Sequence, residues 1–335
     1  MDANREKYQQ RLAEAVAIPS VSTWKRTRPQ CIEMMHWFKK NLESLGAEAK
    51  LVEIDFKQTF PDGEQVDIPP LLIGSIGSGS KTLLIYGHLD VQPADKVGKI
   101  NKLEFFFFFF FNQNSTQQAD GWDTEPFTLT DLGDRLMGRG ATDDKGPAIS
   151  WLNMLEAYKE TNETLPLKIK FIFEGMEESG SVGMTETLAK PEITQWLSDV
   201  DAVCVSDNYW LTPLKPCLTY GLRGVAYFCV TVECSKRDLH SGIYGGAVHE
   251  AMIDLVALLD SLVDSNGNIL VPDISKNVLP VTEEENQIYD EIEFNKVSIY
   301  FVCQKAFFIF NFYRNHLLGM KLELQLFYMK QNNKF

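Results

Sequence analysis

The sequence lacks paired cysteine motifs, an excess of basic residues and a secretory leader, and each absence excludes a class of protein. Its 6 cysteines have neither zinc-knuckle nor redox spacing, so we expect reduced thiols, buried where they lie in predicted strands. Basic residues number 32 against 46 acidic ones, and the net charge of -14 argues against nucleic acid or an anionic membrane surface as a partner. Residues 1–23 show no apolar stretch flanked by positive charge, so we expect a cytoplasmic protein.

The pattern of apolar residues predicts an α/β protein, and a length of 335 residues favours about two domains. We expect an amphipathic helix near the N-terminus, a helix over residues 30–45, and strands over residues 49–54 and 71–76. Further strands then alternate with helices, which predicts a mostly parallel sheet covered by helices.

The pattern changes after Gly224. Residues 225–234 alternate as a half-buried strand, and residues 248–263 follow the periodicity of a strongly amphipathic helix. This part of the chain therefore combines a predicted strand with a predicted helix.

Two adjacent carboxylates, Glu177 and Glu178, follow an apolar strand-like run over residues 171–173. Neighbouring carboxylates repel each other unless a cation holds them together. A metal ion would leave one of them as a ligand and the other free to act as a base. The pair therefore predicts a metal site at the end of this strand.

Three other strand ends carry residues of the kinds that bind metal. His88 and Asp90 follow a buried strand and share a face, so His88 is a candidate ligand and Asp90 a candidate for orienting it. Asp143 lies in a glycine-rich loop that enters a helix, where it could reach two ions, and Asp207 follows a fourth apolar run. Open α/β sheets bind ligands at the carboxyl ends of their strands. Histidine and carboxylate ligands suit zinc or manganese without choosing between them.

Each of these residues also has a structural explanation. His88 could be a hydrogen-bonded loop histidine, and the acids at positions 143 and 144 could cap the helix that follows them. The glutamate pair could be a solvated turn, and Asp207 an ordinary loop acid. The metal interpretation is favoured because four separate strand ends supply what one centre with two ions needs.

Seven ordered motifs resemble those of the cocatalytic metallopeptidases that include carnosine dipeptidase, and most closely the cytosolic non-specific dipeptidases of that family. The match extends to about residue 294 with one interruption. The motifs are GHLDVQP at 87–93, DGWDTEPF at 120–127, GRG at 138–140 with TDDKGP at 142–147, EGMEESGS at 174–181, SDNYW at 206–210, TYGLRG at 219–224 and DLHSG at 238–242.

The resemblance implies a role for each site residue and a cofactor of two divalent metal ions, Zn²⁺ or Mn²⁺. His88 and Asp207 would hold one ion, Glu178 the other, and Asp143 would bridge both. Asp90 would orient His88, and Glu177 would be the general base for a metal-bridged hydroxide that attacks a peptide bond. His240 would reach the partner subunit of a homodimer and stabilise the oxyanion, although it could also be a structural loop histidine.

The resemblance also assigns the domains. Residues 1–224 would form the metallopeptidase catalytic domain, and residues 225–296 the beginning of an inserted α+β lid and dimerisation domain.

Two segments depart from the pattern. Residues 97–118 contain seven consecutive phenylalanines, too few to span a bilayer, and we interpret this segment as intron-derived rather than as a surface insertion. Residues 297–335 lack the character of a lid domain, and we interpret them as a read-through tail on a C-terminally truncated chain.

The expected activity is metal-dependent hydrolysis of dipeptides such as Cys-Gly. An aminoacylase or other amidohydrolase with the same two-metal centre is an alternative. A second alternative is an inactive truncated product that only dimerises.

Overall fold

The structure, a computed structural model, describes residues 2–94, 122–208, 215–222, 228–274 and 276–290. Contacts divide the chain into two units, Met1–Asn208 and Tyr209–Lys334. The segments at 97–118 and 297–335 and the boundary at Gly224 lie outside the described residues, and their interpretation stays a prediction.

A five-stranded sheet forms the centre of the first unit. The strands of this unit are β1 Glu48–Val52, β2 Lys57–Thr59, β3 Gln65–Asp67, β4 Leu71–Ile76, β5 Thr82–His88, β6 Thr130–Asp131, β7 Leu136–Met137, β8 Lys168–Glu174 and β9 Ala202–Val205. The central sheet has the order β1-β4-β8-β5-β9, while β2 pairs with β3 and β6 with β7. β4 runs antiparallel to both of its neighbours, and β8, β5 and β9 run parallel to one another. The predicted mostly parallel α/β sheet is therefore confirmed, with β4 as its reversed strand.

Helices follow the periodicity of the sequence. Those of the first unit are α1 Arg5–Val16, α2 Arg28–Ser44, α3 Lys145–Thr161, α4 Met184–Leu188 and α5 Pro191–Trp196. α2 confirms the helix predicted over residues 30–45, and a proline in its first turn suits the start of a helix because that position needs no N–H bond. α3 ends at Asn162, whose left-handed conformation (φ 54°) closes the helix. Among the described residues, no helix is both long and apolar enough to cross a bilayer.

Apolar side chains cover both faces of the sheet. On one face, α2 and α3 pack on Phe171 and Phe173, and the rings of Phe38 and Phe173 have centroids 4.5 Å apart. On the other face, Ile172 packs with Ile193 of α5 and with side chains of α4. The inner strands β4, β5 and β8 are mostly buried, whereas the edge strand β9 is largely exposed, with Val203 59% and Val205 58% exposed. Packing on both faces therefore holds the ends of β5 and β8, which carry His88 and lead to Glu177 and Glu178.

The described part of the second unit contains three helices, α6 Ser241–Tyr244, α7 Ala251–Asp260 and α8 Glu283–Asp290. α7 confirms the core of the helix predicted over residues 248–263. The predicted strand over residues 225–234 is wrong for residues 228–234, which form no strand, and Cys229 and Cys234 are exposed rather than buried thiols. Alternation stabilises a strand only where one face is covered, and here Phe228 is 77% exposed.

Candidate metal centre

His88 lies at the centre of a group of carboxylates. It is the last residue of β5, and its side chain is fully buried. Its Nε2 atom lies 3.0 Å from Asp143 Oδ1 and 3.6 Å from Asp207 Oδ2. Glu177 Oε2 lies 3.9 Å from the same nitrogen. The parallel strands β5, β8 and β9 thus bring their following residues to one edge of the sheet.

Two overlapping sets of possible ligand atoms share His88. One set contains His88, Asp143 and Asp207, and the other contains His88, Glu177 and Glu178. Within each set the atoms all lie within 4.8 Å of one another. Of the six site residues predicted in the first unit, the fold therefore gathers four carboxylates around the imidazole of the fifth, His88.

The sixth, Asp90, contacts both parts of the group. Its backbone oxygen lies 3.1 Å from His88 Nδ1, and its carboxylate oxygen Oδ1 lies 3.4 Å from the same atom. The backbone N–H groups of Glu177 and Glu178 donate to its two carboxylate oxygens at 3.2 and 3.1 Å. Asp90 is fully buried, so these bonds lie in a region of low dielectric, where they are strong.

Asp144 does not act as the helix cap that its position suggests. It occupies the N-cap position of α3 but makes no capping bond with its side chain. Instead, its Oδ2 atom accepts a hydrogen bond from the backbone N–H of His88 at 3.1 Å. Gly87 makes this approach possible, because a Cβ atom there would lie 2.6 Å from Asp144 Oδ2. The capping interpretation of this acid is therefore wrong.

His240 belongs to the second unit. It precedes α6, and its Nδ1 atom accepts a hydrogen bond from the backbone N–H of Gly242 at 3.0 Å. That contact matches the structural alternative for this histidine, and its role at the oxyanion stays a prediction.

Three residues that support the site were not among the site residues predicted from the sequence. Gln92 donates to Glu178 Oε2, and the hydroxyl of Tyr86 donates to Glu174 Oε1 at 2.6 Å. Gln92 and Glu174 lie within the motifs of the resemblance, and Tyr86 lies two residues before His88 on the same strand. That spacing places Tyr86 and His88 on one face of β5. The alternation of side chains along a strand could therefore have identified Tyr86 as a neighbour of the site.

The charges of the group fit a divalent cation. Burial raises the pKa of Glu177 and of Asp207, and repulsion from neighbouring carboxylates adds to both shifts. Burial also raises the pKa of Glu178 to about 7, with repulsion from Asp143 contributing. A bound divalent cation would offset the repulsion, and one imidazole with several carboxylate oxygens is a donor set that zinc and manganese accept.

These shifts predict that stability in the presence of EDTA falls as the pH rises. The pKa of Glu178 is raised from 4.5 to about 7, and burial raises that of Asp144 from 3.8 to about 8. Between the unfolded and folded pKa values the folded chain binds more protons, so its free energy of unfolding decreases with rising pH. For His88, burial lowers the pKa, but hydrogen bonds to Asp143 and Asp90 raise it to about 12, which acts in the same direction above pH 6.5.

Thermal unfolding followed by circular dichroism at pH 5 and pH 8 measures this effect. We expect a lower melting temperature at pH 8 in EDTA, a smaller difference for Glu178→Gln, and a rise at pH 8 when Mn²⁺ replaces EDTA. Hydrogen bonds from Lys170 and Lys168 lower the pKa of Asp199 to about 2, so its contribution falls outside this pH range. A melting temperature that rises from pH 5 to pH 8 in EDTA would contradict the prediction.

The fold and the site define an α/β protein with a candidate metal centre at the carboxyl edge of its parallel strands. A family model described as peptidase family M20/M25/M40 matches residues 113–292. The chain belongs to this peptidase family, which confirms the resemblance seen in its motifs.

Individual relatives agree with the family. The Cys-Gly metallodipeptidase dug1 of Schizosaccharomyces pombe is 44% identical over 297 residues, which are 88% of this chain and 57% of that protein. The human Beta-Ala-His dipeptidase is 43% identical over 87% of this chain and 54% of its own length. The crystal structure of human carnosine dipeptidase 1 has a TM-score of 0.70 at 42% identity, covering 88% of this chain and 57% of that one. The chain thus spans about half the length of the curated relatives it matches.

Proposed function

We propose that this protein hydrolyses dipeptides with the help of two divalent metal ions, Zn²⁺ or Mn²⁺. The observation that carries the proposal is the gathering of one imidazole and four carboxylates in two sets of atoms, each within 4.8 Å. Dipeptides are the proposed substrates because one relative is named for Cys-Gly and another for Beta-Ala-His.

Each residue has a role in the proposal. His88 and Asp207 would hold one ion, Glu178 would hold the other, and Asp143 would bridge the two. Asp90 orients His88 through its contacts with Nδ1. His240 is proposed to stabilise the oxyanion from the partner subunit of a homodimer that forms through residues 225–296.

Two divalent ions held by these residues would polarise the peptide carbonyl and lower the pKa of the attacking water. Glu177 takes a proton from that water and delivers it to the amine nitrogen as the carbon–nitrogen bond breaks. Burial raises the pKa of Glu177, and a carboxyl group with a raised pKa holds the transferred proton more readily. We also propose a cytoplasmic location, where the cysteines are expected to stay reduced.

Two proteins test the proposal. One is the chain as printed, and the other, called the extended enzyme here, lacks residues 97–118 and continues beyond residue 296 to the length of the relatives. We expect the extended enzyme to cleave Cys-Gly with added Mn²⁺ or Zn²⁺ and the printed chain to be inactive. The printed chain matches only 57% of the length of the dug1 relative, so it supplies only part of that relative's length. The measurement is the release of free glycine.

The other outcomes separate the alternatives. Comparable activity of the two proteins would make residues 97–118 and the tail native parts of the enzyme. Cleavage of N-acetyl amino acids without cleavage of Cys-Gly would favour the aminoacylase alternative. An inactive extended enzyme that still dimerises would favour a purely associating role.

A further inference from the structure

The turn that carries Glu177 and Glu178 is short and depends on contacts outside itself. Its helical part covers only Glu177–Ser179, after which the chain passes through Gly180 (φ 86°) and Ser181 (φ 50°). One such turn has too few internal hydrogen bonds to hold its side chains in place. The positions of both carboxylates therefore depend on Asp90, which accepts the backbone N–H groups of Glu177 and Glu178, and on what the ends of the turn are bonded to.

The near end of the turn is linked through Gly175 and Met176 to the strand β8, whose last residue is Glu174. This residue lies opposite His88 in the register of β5 and β8, and it is 2% exposed. The first residue after the turn's glycine, Ser181, donates its backbone N–H to Met176 O at 2.7 Å, so the two sides of the turn close on each other.

The carboxylate of Glu174 links this closed turn to the strand that carries His88. Its Oε1 atom accepts hydrogen bonds from the hydroxyl of Tyr86 at 2.6 Å and from the hydroxyl of Ser181 at 2.8 Å. Tyr86 lies two residues before His88 on β5, and Ser181 lies three residues after Glu178. One oxygen atom thus connects the histidine side of the site to the glutamate side.

Both hydrogen bonds stabilise the position of the turn more than a pair of solvent-exposed hydrogen bonds would. An ionised carboxylate accepts stronger bonds than a neutral oxygen does. Because Glu174 is buried, removing either hydroxyl leaves an acceptor without a full set of partners and without water to replace them. The turn can then shift relative to β5.

We propose that Tyr86 and Ser181, acting through Glu174, are positioning residues that set the separation between His88 and the carboxylates of Glu177 and Glu178. The inference rests on the proposed function for the identity of the bound ions. It assigns the two hydroxyl groups no contact with the reacting atoms, since their effect passes through the backbone of the turn.

Two small substitutions test the proposal. Tyr86→Phe and Ser181→Ala each remove one hydroxyl and leave the rest of the side chain in place. Tyr8→Phe is the matched control, because its hydroxyl donates to Asn153 O at 3.4 Å between α1 and α3. The dissociation constant for Mn²⁺, measured by titration calorimetry on the printed chain, is the first measurement. The melting temperature of each variant is the second.

We expect each variant to weaken Mn²⁺ binding by about 10-fold, the lower end of the usual effect of losing a hydrogen-bond partner behind a metal ligand. The control is expected to bind Mn²⁺ as the parent does. The double variant should lose less than the product of the two single effects, because both hydroxyls share one oxygen. In the extended enzyme the same variants should lower kcat and leave KM nearly unchanged.

Several results would overturn the proposal. One is Mn²⁺ affinity in both variants equal to that of Tyr8→Phe, including the case where only the melting temperature falls. Effects that multiply fully in the double variant would show that the two hydroxyls act separately. An extended enzyme that binds Mn²⁺ but cleaves no dipeptide would refute the proposed function and leave the positioning proposal standing. The Mn²⁺ affinities of the variants would still test the roles of Tyr86 and Ser181. A parent chain that binds no Mn²⁺ would refute both.

Discussion

Replacing Glu177 with alanine in the extended enzyme is expected to reduce turnover of Cys-Gly by about 100-fold or more, the usual effect of removing a general base. The Glu177 side chain is 38% exposed and its carboxylate faces His88 Nε2 at 3.9 Å, so it borders the proposed centre while remaining open to a substrate. Burial raises its pKa, and repulsion from Asp90 and Asp207 adds to the shift. The measurement is kcat at saturating substrate, together with metal content by elemental analysis.

The neighbouring Glu178 supplies the matched control. Glu178→Ala is expected to lose bound metal along with activity, whereas Glu177→Ala should keep the metal content of the parent. Near-normal turnover of the Glu177 variant would remove this residue from the mechanism. Equal loss of metal from both variants would make Glu177 a ligand rather than a base.

The sequence predicted the elements of the first unit well because their patterns are local. The helix over residues 30–45 and the strand over residues 71–76 follow from the periodicity of their own apolar residues, and both are found. The order of the sheet depends on pairing between distant segments. The reversed direction of β4 between β1 and β8 therefore could not be predicted from any single stretch.

The same distinction holds at the site. Residue types at strand ends predicted which side chains would gather, because parallel strands share one carboxyl edge. The different contacts of the Asp143 and Asp144 side chains could not be predicted from the sequence, because both residues are acids that precede the same helix. Asp143 faces His88 Nε2, while Asp144 turns beneath β5 to the backbone N–H of His88 through the space that Gly87 leaves.

In the second unit, the local sequence pattern predicted the secondary structure less well. The alternation over residues 225–234 is typical of a strand, yet residues 228–234 form none. An alternating segment gains its stability from the neighbour that covers its apolar face, and Phe228 and Val230 are both exposed here. The helix α7 needs no such neighbour for its backbone hydrogen bonds, and it forms where the sequence predicts it.

Asp143→Asn in the extended enzyme is expected to lose more activity than Glu177→Ala does. We expect a loss on the order of 1000-fold in kcat/KM, together with loss of bound metal. Asparagine keeps the shape of the side chain and can still bond to His88 Nε2, which lies 3.0 Å from Asp143 Oδ1. It removes the negative charge that the proposal shares between two ions. Metal ions contribute several kcal/mol to charge stabilisation in the transition state, and losing ~4 kcal/mol corresponds to about 1000-fold.

Asp134→Asn provides the matched control, because Asp134 is exposed and its carboxylate bonds to the adjacent Arg135 at 2.7 Å. We expect this variant to keep both metal and activity. If Asp143→Asn loses activity but retains the metal content of the parent, the bridging role is wrong and Asp143 acts on the substrate instead. If it loses one ion and keeps the other, Asp143 belongs to a single ion. Only the loss of both ions agrees with a carboxylate that lies between them, because a ligand of one ion leaves the donors of the other in place.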